Sequence, residues 1–259
     1  MPAVVSDGFI DFDQAGGDVV LEALLWGLVA ASALVVGATF GVIRPWPDPM
    51  IGAVLAFGSG ALISSVSFEL ALEGRQEARG LTPVAIGLAV GAVAFFAGDA
   101  AIERFTERRA STAGATGVGT SLALGSFLDG LPENMVLGVG LSRGEGVSIA
   151  LVVAIFISNI PESMGSASEL FKAGADRKGV VLFWVAVAVT TALSAPIGFL
   201  VADALGRAFI GLANGFAAGA LLVLLATTMA PEAREKMGRA AGLATVLGFA
   251  LAVALSTSS

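Results

Sequence analysis

The chain has 259 residues, 56% of them hydrophobic and only 14% charged, with a net charge of −7 and a mean hydropathy of +0.89. A soluble domain is about one-quarter charged, so this composition points to a polytopic membrane protein with little chain left for a soluble domain, and the acidic balance argues against a nucleic-acid partner. The absence of Cys excludes disulfides and thiolate metal sites, and the absence of His removes the commonest metal ligand, so any metal site must be built mainly from oxygen.

Residues 1–18 carry Asp7, Asp11, Asp13 and Asp18 and no Lys or Arg. They read as a short acidic extracytoplasmic tail and lack the basic n-region of a cleaved signal. Apolar runs of about 20 residues follow, each able to cross a bilayer. The predicted spans are 19–43, stopping at Arg44-Pro45; 50–72, with Ser64, Ser65, Ser67 and Glu69 towards its end; and 81–101, with Asp99. Then come 117–141, 147–171, 180–202 containing Pro196, 209–230 ending at Pro231-Glu232, and 240–256. Eight spans make residues 19–259 a single all-α integral membrane domain, and their even number puts both termini on one side. With an outside N-terminus, ten of the fourteen basic residues fall in cytoplasmic loops, including Arg108, Arg109, Arg177, Lys178, Arg234 and Arg239. The outer loops hold Arg75, Arg79, Arg143 and Arg207. That asymmetry predicts both termini outside a cell membrane. Glycine is abundant, as in Gly138-x-Gly140 and Gly215-x-x-x-Gly219. Such small-residue surfaces let membrane helices approach closely and permit a homodimer.

Two related motifs stand in mid-span: Asp129-Gly130-Leu131-Pro132-Glu133-Asn134 and Ser158-Asn159-Ile160-Pro161-Glu162-Ser163. A carboxylate at a bilayer centre costs about 2.5–3.5 kcal/mol on insertion scales. A proline inside a soluble helix costs about 3 kcal/mol. Asp129 and Glu133 are four apart and share a helix face, as do Ser158 and Glu162. Pro132 and Pro161 lack N–H groups, which frees the carbonyls of Leu128 and Ile157 and kinks the fourth and fifth spans. A short connection makes those spans antiparallel neighbours, so the two motifs meet at one depth. Three carboxylates (Asp129, Glu133, Glu162) then gather with Ser158, Asn159, Asn134 and freed carbonyls, an oxygen cage of the kind hard divalent cations take. A lone membrane carboxylate also reads as a protonated structural donor. Three without an intramembrane Lys or Arg must bind a cation or share protons. Ser158 and Asn159 also read as helix-packing polar residues.

Glu69 and Glu73, Asp99, Glu103 and Glu107, and Glu232 and Glu235 lie near span ends, as interfacial charge or as acidic vestibules. Thr227 and Thr228 either face the same pathway or bond to their own backbone. No G-x-x-x-x-G-K loop appears, and a Ser–His pair is impossible, so neither ATP-driven pumping nor hydrolysis is indicated.

The two motifs and the eight-span layout resemble the ZIP family of divalent metal transporters. That family carries His-Asn-x-Pro-Glu-Gly in its fourth helix and His-Glu-x-Pro-(His/Glu)-(Glu/Gly) in its fifth. Phe57-Gly58-Ser59-Gly60-Ala61-Leu62 looks like the start of its second helix. Phe216 to Ala220, running on to Ala230-Pro231-Glu232-Ala233, looks like its seventh. The resemblance implies both termini outside, import of a divalent cation, and movement of a central bundle (second, fourth, fifth and seventh helices) against the other four. It implies Asp129, Glu133 and Glu162 as ligands, with Ser158 and Asn159 secondary. Asp129 stands where the family has His, Ser158 where it has His or Gln, and Gly130 and Asn159 where it has Asn and an acid of a second metal position. One cation site, rather than two, is the expectation. An all-oxygen site favours manganese, iron(II) or another hard divalent ion, while zinc also accepts carboxylates. The cation is cargo, and no resident cofactor is implied. The alternatives are a proton-linked transporter of another solute and a non-transporting metal sensor.

Overall fold

The computed structural model describes residues 12–44, 46–113, 130–142, 144, 146–172 and 174–256. Among the described residues every regular element is a helix. They are α1 (Phe12–Ile43), α2 (Asp48–Ser65), α3 (Glu73–Glu77), α4 (Thr82–Ala113), α5 (130–141), α6 (Ile149–Lys172), α7 (Arg177–Ala192), α8 (Ser194–Leu205), α9 (Arg207–Leu224), α10 (Ala230–Met237) and α11 (Ala241–Ser256). A π-helical stretch, Val66–Leu72, joins α2 to α3, and another, Leu225–Met229, joins α9 to α10.

Six stretches are long and apolar enough to cross a membrane: Gly17–Ile43, Asp48–Glu77, Thr82–Ala101, Ile149–Ser168, Arg177–Leu205 and Phe209–Leu255. At 1.5 Å per residue the last, of 47 residues, would reach about 70 Å, far beyond a hydrocarbon core of about 30 Å. It is divided at Gly238, whose φ of 70° ends α10 and turns the chain into α11. Leu182, Leu243, Val93 and Phe96 project outward, more than 60% exposed, which suits lipid and not water. The chain is a multi-pass helical membrane protein.

Several boundaries differ from expectation. α1 reaches back to Phe12, so residues 12–18 are helical and not an open tail. The seventh span does not stop at Pro231: proline is tolerated in a first helical turn, and α10 carries on to Met237. The sixth span is two helices, α7 and α8, parted at Leu193 ahead of Pro196. Of the fourth span, residues 117–129 lie outside the described residues.

Glycine lets helix backbones touch, and those contacts fix the directions. Gly215 and Gly219 of α9 meet the carbonyls of Val84 and Leu88 of α4, so the two helices run parallel. Gly37 and Gly41 of α1 meet the carbonyls of Ile160 and Met164 of α6, again parallel. In α2, Gly52 touches Met237 and Gly60 touches Thr245, which aligns α11 with α2. Gly130 and Gly138 of α5 pack on Thr191 and Ala195, alongside α7 and α8. These directions place the start of α1 and the end of α11 at one end of the bundle. At the other end, Trp46 donates to the Phe40 carbonyl (3.0 Å) under the Arg44 guanidinium, 4.1 Å from the ring, in the manner of an interfacial anchor.

Candidate metal centre

α5 and α6 run antiparallel, joined by a turn near Gly144 and Gly146, and their facing sides bring the two Pro-Glu motifs together. Glu133 is 2% exposed in the first described turn of α5. Asn159 of α6, 3% exposed, donates from Nδ2 to Glu133 Oε2 at 2.8 Å. The same Nδ2 donates to the Ile155 carbonyl at 2.9 Å, one turn earlier on its own helix. Glu162, half-buried, stands three residues beyond Asn159 on the same helix. α6 continues through Pro161, which is buried.

Ser158 is buried where α6 crosses α2, against Gly58, and its hydroxyl donates to the Ile155 carbonyl at 2.9 Å. Its lone pairs are left to accept or to ligate. Ser163 bonds the carbonyls of Asn159 and Ile160, at 2.8 Å and 3.1 Å. Asn134 donates to the Gly130 carbonyl at 3.0 Å, while its buried Oδ1 has no partner among the described residues.

The structure therefore brings Glu133 and Asn159 into contact, with Ser158 and Glu162 on the same helix as Asn159. Asp129 lies outside the described residues, as does Leu128. Among the described residues no group of three or more His, Cys, Asp or Glu side chains is placed to hold a metal. What stands there is a buried carboxylate, Glu133, bonded to a buried amide, Asn159.

Sequence reasoning missed two neighbours. Ser194, at the start of α8, donates to the Leu131 carbonyl at 3.1 Å and to the Thr191 carbonyl at 2.7 Å, tying the α7–α8 break to the turn that carries Pro132. Pro196 was the one signal available for that break. Asn214 of α9, 4% exposed, lines a cavity of about 20 Å³ with Glu73, Ser148, Leu137 and Leu70. Leu137 is one turn beyond Glu133 on α5, and a cavity of that size holds a water. Of the other acids, Glu232 is 3.5 Å from Lys236 at the surface, and the side chains of Glu69, Glu103 and Glu107 lie outside the described ones. Thr227 is exposed and donates to the Val223 carbonyl at 2.8 Å.

The fold and site define an integral membrane helix bundle with a buried, carboxylate-bearing polar centre between two antiparallel helices. No family model matches the chain. It is similar to a curated protein of Arabidopsis thaliana named "Putative zinc transporter At3g08650", with 26% identity over 215 residues. The match covers 81% of this chain and 34% of that protein, so the chain spans about a third of its relative's length.

Proposed function

We propose that the chain is a membrane transporter for divalent metal cations of the ZIP type, carrying them towards the cytoplasm through the Glu133–Glu162 centre. The observation that carries the reading is the buried Glu133 of the first Pro-Glu motif, held at 2.8 Å by Asn159 of the second. A carboxylate buried this deeply needs a proton or a cation to neutralise it. The name of the Arabidopsis relative supports a metal as the cargo.

In this reading Glu133 and Glu162 are the principal ligands and Asp129 the third, with Ser158 and Asn159 lining the site. The chain crosses the membrane eight times, with α5 completing the fourth crossing. The end carrying Arg44, Arg177, Lys178, Arg234 and Arg239 faces the cytoplasm, which leaves both termini outside. Oxygen ligands suit manganese and iron(II) as well as zinc.

The test is uptake by the purified chain in liposomes, with manganese, iron(II), zinc, cadmium and magnesium offered in turn. Saturable uptake is expected, and the Glu133→Ala, Glu162→Ala double variant should lose at least 90% of it, about a tenfold drop or 1.4 kcal/mol. Normal transport by that variant would remove the site assignment. Flux that needs a proton gradient and survives a chelator would favour a proton-linked carrier of another solute.

A further inference from the structure

The side-chain amide of Asn159 has a fixed orientation. Its Nδ2 faces the Ile155 carbonyl at 2.9 Å and Glu133 Oε2 at 2.8 Å. A carbonyl oxygen has no hydrogen to give, so the group facing Ile155 must be the NH₂ and not the amide oxygen. Its two hydrogens are then both assigned, one to the helix and one to the carboxylate. An amide ligates a metal through its oxygen, and here the nitrogen, not the oxygen, is the atom turned to Glu133. Both partners are almost wholly buried, Glu133 2% and Asn159 3% exposed, so no water competes for the bond.

We propose that Asn159 is a positioning residue for Glu133 and not itself a ligand. Its N–H holds Oε2 and turns Oε1 towards the cation that Glu133 shares with Glu162. The inference rests on the transport reading above and specifies how its site is built. A carboxylate aimed by an outer hydrogen bond binds metal more tightly, because the ligand loses less freedom on binding. Loss of such a partner costs 10- to 100-fold in affinity. The bond also crosses from α6 to α5, so the ligand on one helix is aimed by the other.

The chain has no cysteine, which gives a clean probe. A thiolate bound to cadmium absorbs in the ultraviolet, and any such band must come from an introduced residue. Binding of manganese, zinc and cadmium would be titrated on the purified chain in lipid nanodiscs, alongside Asn159→Leu, Asn159→Cys and Glu162→Cys. Unfolding temperatures without metal would identify any variant that fails to fold. Asn159→Leu fills similar space without a donor, and it should bind all three ions at least tenfold more weakly with their ranking kept. Asn159→Cys should give no cadmium–sulfur band, while Glu162→Cys, at a ligand position, gives one. Wild-type affinity in Asn159→Leu, or a cadmium–sulfur band in Asn159→Cys, overturns the inference while leaving the transport reading in place. Absence of metal binding by the unaltered chain removes both. Should Asn159→Leu not fold, the presence or absence of the band in Asn159→Cys decides alone.

Discussion

Asn134 follows Glu133 directly, and its amide, like that of Asn159, donates to the carbonyl one turn earlier on its own helix. It turns its donor back to Gly130, and its buried Oδ1 receives nothing from any described residue. A buried acceptor without a donor costs about 1–3 kcal/mol. Asn134→Leu, similar in size and without that oxygen, should therefore raise stability by about 1 kcal/mol, read as a higher unfolding temperature in detergent. A drop in stability would mean that the oxygen has a partner. At this scale much was legible. The i,i+4 spacing within each motif and the short turn between them required Glu133 and the second motif to meet. Ser194 was not legible, since 63 residues separate it from the Leu131 carbonyl it binds and no periodicity connects them. Asp129 was singled out on the same spacing, but it lies outside the described residues.

Among the elements, α4 and α9 show why the helices lie where they do. Gly87 and Gly91 of α4 meet the carbonyls of Leu212 and Phe216, while Gly215 and Gly219 of α9 meet those of Val84 and Leu88. Each helix thus presents two glycines one turn apart to the other's backbone. In lipid, where apolar burial offers little drive, this close contact does the holding. A Cβ at Gly91 would strike the Phe216 carbonyl, which a rigid helix cannot withdraw. Gly91→Leu should therefore cost 1–3 kcal/mol or more, seen as a lowered unfolding temperature, whereas Gly242→Ala, with nothing within 4 Å, should change little. Gly215-x-x-x-Gly219 was visible in the sequence as a packing motif, but its partner on α4 was not, because pairing is a property of the fold. Helix ends were read too short at Phe12 and Met237, since hydropathy marks where the lipid stops and not where the helix does.

At the scale of the whole molecule, the glycine contacts place the start of α1 and the end of α11 together. Cysteine placed at exposed positions would test the proposed orientation against the cysteine-free background. Gln76→Cys and Gly144→Cys should react with a membrane-impermeant thiol reagent in intact cells. Arg239→Cys and Lys178→Cys should react only after permeabilisation. The reverse pattern would invert the topology and with it the direction of transport. The all-helical membrane class was legible from composition alone. The break at Leu193 and the two π-helical stretches were not, because each depends on how neighbouring helices take up backbone bonds that no local pattern announces.

The glycine contacts have one more consequence. Each of α2, α5, α6 and α9 has a bare-backbone seam with one further helix: α2 with α11, α5 with α8, α6 with α1, and α9 with α4. A surface of interlocking side chains resists sliding, since every knob must climb out of its hole. A backbone running past a row of hydrogens has no such teeth. If α2, α5, α6 and α9 move together against the other four, as the ZIP resemblance implies, the seams are tracks as well as clamps: they keep the two sets in contact and let one glide past the other. A single methyl group on a track would then act as a brake, slowing the cycle before it loosened the fold.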